Sequence, residues 1–151
     1  MMPIVVKLRK EEFTEDRVMP ILRAIGEEMA EKGHGLHSLA SLRGDFCDAF
    51  AVIMGLGIGH AWMWKDRGIF LALKSHDLFS QMPRAALLLA GVLPLYRGTN
   101  IARELFEAFE AWARDEGCAD VSGASHAFHP RDDSWENHGY KKTETIFSKE
   151  L

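Results

Sequence analysis

Residues 97–102, RGTNIA, place a glycine between an apolar run (ALLLAGVL, 86–93) and a long amphipathic stretch. A glycine-bearing turn between a strand and a helix start presents successive backbone N–H groups, and such groups receive phosphate. Gly98 removes side-chain bulk where a phosphate must approach, and Arg97 adds a positive charge. A second set of reactive groups lies downstream. Ser125 offers a hydroxyl, and His126 offers the one side chain whose ordinary pKa suits proton transfer near neutrality. Two HxxH pairs, His34/His37 and His126/His129, have the ligand count of a zinc site. Gly35 splits the first pair, however, and neither carries the glutamate of an HExxH protease, so no metal is expected. Asp132 and Asp133 fit turn residues or caps of a short helix, with attraction for a cationic amine as the functional alternative.

These groups need a scaffold, and the patterning supplies one. IVVKLR (4–9) reads as a first strand. Thr14-Glu15-Asp16 opens a helix whose apolar face is Val18, Ile21, Leu22, Ile25 and Met29, with Pro20 awkward in its second turn and Gly33 and Gly35 ending it. A second helix is expected over roughly 44–54. AWMWKD (61–66) and IFLALK (69–74) read as a hairpin about the turn Asp66-Arg67-Gly68, and 85–93 as an apolar strand ended by Pro94. A helix over about 100–116 carries Ile101, Leu105, Phe109 and Trp112 inward, with Glu104, Glu107, Glu110 and Arg114 outward. Then follow a short strand (119–125), a loop with a short helix (126–139) and a closing strand or pair (140–151). Trp62, Trp64 and Phe70 read as the hydrophobic face of the hairpin rather than a base-stacking surface.

The chain has 151 residues, 47% hydrophobic and 26% charged, which suits one globular domain. A net charge of −4 argues against a chain-wide nucleic-acid footprint. Cys47 and Cys118 form no CxxC pair and are expected as free thiols in a cytoplasmic protein. The stretch 46–64 has nearly the length of a membrane span, but it carries Asp48 and His60 and is broken by GLGIG. It reads as a helix, a turn and a strand, not a membrane segment.

Two motifs and their spacing resemble the GCN5-related N-acetyltransferase (GNAT) superfamily. Its members tend to carry V-x-P-x-[YH]-[RQ]-[RG]-x-G-x-[GA] at the end of a strand, then a helix, then Y-x-x-x-G-[FY] about thirty residues on. This chain has Val92-Leu93-Pro94-Leu95-Tyr96-Arg97-Gly98-Thr99-Asn100-Ile101-Ala102 for the first motif and Trp135-Glu136-Asn137-His138-Gly139-Tyr140 for the second. The match covers residues 85–151; the first half agrees only in the order of its elements. The resemblance implies a GNAT fold, an α/β (α+β) domain with a mixed central sheet splayed at the acetyl-CoA site and flanked by helices. It implies that the backbone of Val92 and Leu93 pairs with the pantetheine arm, in a splay opened by a bulge near Pro94. Amides from Arg97, Gly98, Thr99, Asn100, Ile101 and Ala102 would hold the pyrophosphate.

The implied activity is acetyl transfer from acetyl-CoA to a primary amine, of a small molecule or a peptide, by direct attack in a ternary complex. His126 is the candidate base and Ser125 a partner for the amine, at the strand end where related folds line the acceptor site. The family resemblance also allows a homodimer, and compact chains ending like TIFSKEL resemble phage-encoded members. The chain departs from the family pattern in three places. Asn100 stands where glycine is preferred, and its side chain is expected to cap the helix beginning at Ile101. Trp135 stands at the position of the tyrosine that commonly protonates the departing thiolate, and indole cannot serve as that acid. The strand 85–93 has no glutamate to act as base. Trp135 and Tyr140 therefore read as packing aromatics, and a non-catalytic binding or assembly module on the same scaffold is the alternative to an enzyme.

Overall fold

The computed structural model describes residues 4–31, 45–124, 132–144, 147, 149 and 151. Five strands, Val5–Lys7 (β1), Gly59–Trp64 (β2), Gly68–His76 (β3), Pro83–Val92 (β4) and Val121–Ser122 (β5), form one sheet in sequence order. The first four are antiparallel, whereas β4 and β5 are parallel. A parallel pair needs a crossover, and the helix Ile101–Asp115 (α3) provides it. Helices Glu15–Glu31 (α1) and Phe46–Gly55 (α2) precede β2, and a short helix Asp132–Asn137 (α4) follows β5.

Side chains alternate across a strand, so the sheet feeds two cores. On one face Ala61 and Met63 of β2 and Ile69 and Leu71 of β3 join a core with Val18, Ile21, Leu22 and Ile25 of α1 and Cys47 and Phe50 of α2. On the other face Trp62, Trp64 and Phe70 join Ile101, Leu105, Phe106 and Phe109 of α3. The hairpin aromatics are thus core, as the patterning implied. Pro20 lies inside α1 on its exposed side. The proline ring therefore faces solvent, and the helix runs on through it with one N–H fewer. The apolar stretch 46–64 resolves into α2, a turn and β2, and no helix among the described residues is long and apolar enough to cross a membrane. Both cysteines are free.

Three details differ from the sequence expectations. Leu71 pairs with Leu89 but Ala72 pairs with Leu87, so Leu88 is an extra residue in β4 and the bulge lies there, not near Pro94. Beyond Leu88 the strand changes phase. Ala85 and Leu87 face the α3 core, whereas Leu89 packs with the α1 core. Gly91 follows on that side, where a Cβ would strike the tip of the Ile25 side chain, so glycine leaves room for that residue of α1. Second, Glu104 and Glu110 of α3 are half-buried rather than outward. Each takes a donor from an aromatic ring: Glu104 accepts the Trp64 indole N–H, and Glu110 accepts the Tyr140 hydroxyl at 3.0 Å. A buried indole or phenol needs such a partner. Third, residues 140–144 are not in a strand, and much of the expected closing strand (145, 146, 148 and 150) lies outside the described residues.

Candidate functional site

The end of β4 and the start of α3 are joined by eight residues, some of whose backbone groups are paired and some left as free donors. The Leu93 N–H donates to the Arg67 carbonyl at 2.9 Å, which fixes the exit from the sheet. Pro94–Tyr96 then makes one turn of 3₁₀ helix with proline at its start, where the missing N–H costs nothing. The Leu93 carbonyl accepts the Tyr96 N–H at 2.9 Å, and the Arg97 N–H reaches the Pro94 carbonyl at 3.3 Å. Gly98 has φ +81°, the left-handed region that glycine enters without strain, and a Cβ there would meet nothing within 4 Å. The Thr99 hydroxyl donates to the Tyr96 carbonyl at 2.7 Å and accepts the Ile101 N–H at 3.4 Å. Among the described residues, the N–H groups of Gly98, Thr99, Asn100 and Ala102 have no backbone partner. With the Arg103 N–H, which also has no backbone partner among the described residues, five free donors lie at an exposed helix start, an arrangement that can receive an anion with the help of the helix dipole.

The two long polar side chains of the turn do not point at those donors. Arg97 Nη1 lies 2.7 Å from Glu28 Oε1 of α1, and its Nε donates to the Val92 carbonyl at 3.1 Å. Asn100 makes no capping bond; its Nδ2 donates instead to Glu104 Oε1 at 2.7 Å. The expected cap therefore gives way to an ion-assisted bond one turn along the helix, because a carboxylate is the stronger acceptor. Arg67 completes the surroundings, its guanidinium 4.4 Å from the centre of the Tyr96 ring. Sequence reading missed Glu28, whose partner is 69 residues away. It also missed Glu104, although Asn100 and Glu104 are four apart, a spacing at which helix side chains meet.

Beside the turn, β4 has an open edge. Its pairing with β5 is confined to Ala85 with Val121 and Ala86 with Ser122. From Leu87 to Val92 the outer side of β4 carries no strand among the described residues. This stretch, unpaired on its outer side among the described residues, runs toward the turn that carries the free N–H groups.

The second motif packs against α3. Trp135 lies over Gly123, with its ring 5.6 Å from that of Phe106 and 5.2 Å from that of Tyr140. His138 stacks on Phe106 at 4.3 Å. Burial and the Glu110 carboxylate push the Tyr140 phenol far above its ordinary range, so it stays protonated as a donor. Ser125, His126, His129, His34 and His37 lie outside the described residues. Among the described residues there is no group of three or more His, Cys, Asp or Glu side chains able to hold a metal.

Residues 51–138 match the acetyltransferase (GNAT) family. A search of curated protein sequences returned no match. The fold is shared with solved acetyltransferases of low sequence identity. An aminoglycoside acetyltransferase from an uncultured soil metagenomic sample, in complex with sisomicin, superposes with a TM-score of 0.74 at 12% identity, covering 97% of this chain and 95% of that one. A GCN5-related N-acetyltransferase from Ralstonia eutropha gives 0.74 at 17% identity, covering 97% of both chains. A ribosomal-protein-alanine N-acetyltransferase from Brucella melitensis gives 0.66 at 12% identity, covering 97% of this chain and 99% of that one. With more than half of its length matched to the family, and with the glycine turn and open strand edge in place, the chain belongs to the GNAT acetyltransferases.

Proposed function

We propose that the protein is a single-domain, acetyl-CoA-dependent N-acetyltransferase that acetylates a primary amine. The observation that carries this reading is the row of free N–H groups at Gly98, Thr99, Asn100 and Ala102, set at the end of a strand with an open edge. The residues fit the cofactor: the positive φ of Gly98 and the empty space around it leave room for a pyrophosphate. When bound, acetyl-CoA supplies the activated acetyl thioester. Val92 and the β4 edge before it would align the pantetheine arm; the Leu93 N–H is already committed to Arg67. The turn from Arg97 to Ala102 would hold the pyrophosphate through its free amides, with Arg97 and Ile101 shaping the turn rather than donating from the backbone.

The acceptor amine would attack the acetyl thioester directly in a ternary complex, the C–S bond breaking as the C–N bond forms and CoA leaving as a thiolate that solvent protonates. Positioning and an amide donor on the developing oxyanion supply most of the acceleration. We assign His126 as the base that removes the amine proton and Ser125 as a hydrogen-bond partner of the amine. The relatives that act on an aminoglycoside and on a ribosomal-protein alanine define the first acceptors to try. A thiol-release assay with acetyl-CoA against aminoglycosides, polyamines, amino acids and peptide N-termini tests the reading. Release that depends on one of these amines is expected, and failure of CoA to bind at millimolar concentration overturns it.

One observation favours a second reading, a binding module on the same frame. At the position of the family's acid the ring is an indole packed into an aromatic cluster, and the neighbouring phenol of Tyr140 is held by Glu110. Binding of CoA without turnover on any amine would select this alternative.

A further inference from the structure

Asn100 occupies the residue before the first turn of α3, where an asparagine side chain ordinarily folds back to accept the N–H of the second or third helical residue. Here those residues are Ala102 and Arg103, at the very start of the helix that would receive an anion. A capping Asn100 would compete with that anion for the same donors. It does not cap, because its amide donates to Glu104 Oε1 at 2.7 Å. Glu104 is in turn fixed through its other oxygen by the indole N–H of Trp64, a core residue at 9% exposure.

We propose that Glu104 is a positioning residue for cofactor binding: anchored by Trp64, it draws Asn100 off the helix start and so keeps the phosphate-binding N–H groups vacant. The inference rests on the cofactor reading given above. It accounts for how this chain carries an asparagine at the glycine position of the motif it resembles. The side chain is tolerated because a carboxylate one turn on outcompetes the helix for it. The carboxylate itself is shielded from an incoming phosphate by two donors, one on each oxygen.

The idea is separable from a general structural role, because it predicts a change of sign between backgrounds. Glu104→Ala should weaken CoA binding about tenfold by calorimetry, within the usual range of coupling between contacting residues. In an Asn100→Gly background the same Glu104→Ala change should leave binding at the wild-type level or tighten it, since only a nearby negative charge is then lost. Asn100→Gly keeps the backbone N–H and removes the competing side chain, and it is the background against which the Glu104 change is read. Asn100→Ser keeps Glu104 and Trp64 untouched, so folding is preserved. It installs a capping hydroxyl that Glu104 does not hold, and binding should weaken while thermal stability holds or rises. In a turnover assay these losses belong to KM for acetyl-CoA, with kcat unchanged. If wild type binds CoA but Glu104→Ala binds as well as wild type, or its loss persists after Asn100→Gly, or Asn100→Ser binds normally, the inference fails while the cofactor reading stands. If wild type does not bind CoA, the cofactor reading fails and takes this one with it.

Discussion

The guanidinium of Arg97 lies 2.7 Å from the carboxylate of Glu28, so the turn that follows β4 is tied to the helix α1 on the opposite side of the strand end. The same side chain donates to the Val92 carbonyl at 3.1 Å. One residue thus joins strand, turn and helix, and its charge is spent on the protein rather than held out for a ligand. Arg97→Met keeps the aliphatic stem and loses both bonds. Urea unfolding should show a loss of about 1.5–3 kcal/mol, the range for hydrogen bonds to charged groups. CoA affinity should fall less than it does when the turn is filled.

Filling the turn is done with Gly98→Glu. The substitution places a carboxylate among the free N–H groups and puts a side chain at φ +81°, which costs about 1–2 kcal/mol of backbone strain. CoA binding should disappear while circular dichroism stays that of the wild type, since the site is exposed. Gly98→Asn carries a residue that tolerates this backbone region, and should bind more weakly than wild type but measurably. A folded Gly98→Glu protein with normal CoA affinity would place the phosphate elsewhere.

His60 sets a pH dependence far from this turn. Its imidazole is half-buried, 4.3 Å from the Trp112 ring, with Nε2 2.9 Å from the Gly57 carbonyl. Burial lowers its pKa from 6.5, with Lys7 adding to the effect and the Gly57 carbonyl and Glu116 opposing it. The unfolded chain therefore binds more protons than the native one. His60's contribution is complete above the unfolded pKa and is lost as pH falls below it toward the folded value. The thermal midpoint should drop as pH falls through and below the ordinary imidazole range, and His60→Gln should flatten that drop. An unchanged slope in the variant would show that other groups carry it.

Trp135 decides between enzyme and module. Its ring sits 5.6 Å from Phe106 and 5.2 Å from Tyr140, so Trp135→Phe should cost about 1–3 kcal/mol in stability through lost packing. If the natural protein turns over with the thiolate protonated by solvent, Trp135→Phe keeps most of the rate. Trp135→Tyr then gains little. Activity that appears only in Trp135→Tyr would identify the wild type as a binding module.

Much of the frame was legible because it obeys local periodicities. The stripe Ile101, Leu105 and Phe109 has helical spacing and forms the buried face of α3. The glycine turn stood out for the same reason, since Gly98 and the proline before it are strong local signals. What escaped was set by distant partners. Leu88 looks like any residue of an apolar run; only its pairing with β3 shows it as the extra one. Glu104 fits the outward pattern of α3 by spacing, yet the indole of Trp64, 40 residues earlier, draws it in. Arg97 was read as a charge for phosphate, and the competing carboxylate of Glu28 belongs to a helix that no local rule connects to the turn.

Among the described residues, β4 is paired with β5 at Ala85 and Ala86 and has no strand on its outer side from Leu87 to Val92, and this has a consequence for isotope labelling. In an antiparallel pair alternate amides point toward the neighbour, so β3 shelters every second N–H of residues 87–92 and leaves the others without a strand partner among the described residues. A peptide covering this stretch should take up deuterium in two phases, one within seconds and one on the timescale of sheet opening. A thioester-bearing arm lodged along this edge would convert the fast phase into a slow one and leave the slow phase as it was. The strand thus carries its own reporter of occupancy, read by mass, with no acceptor amine required.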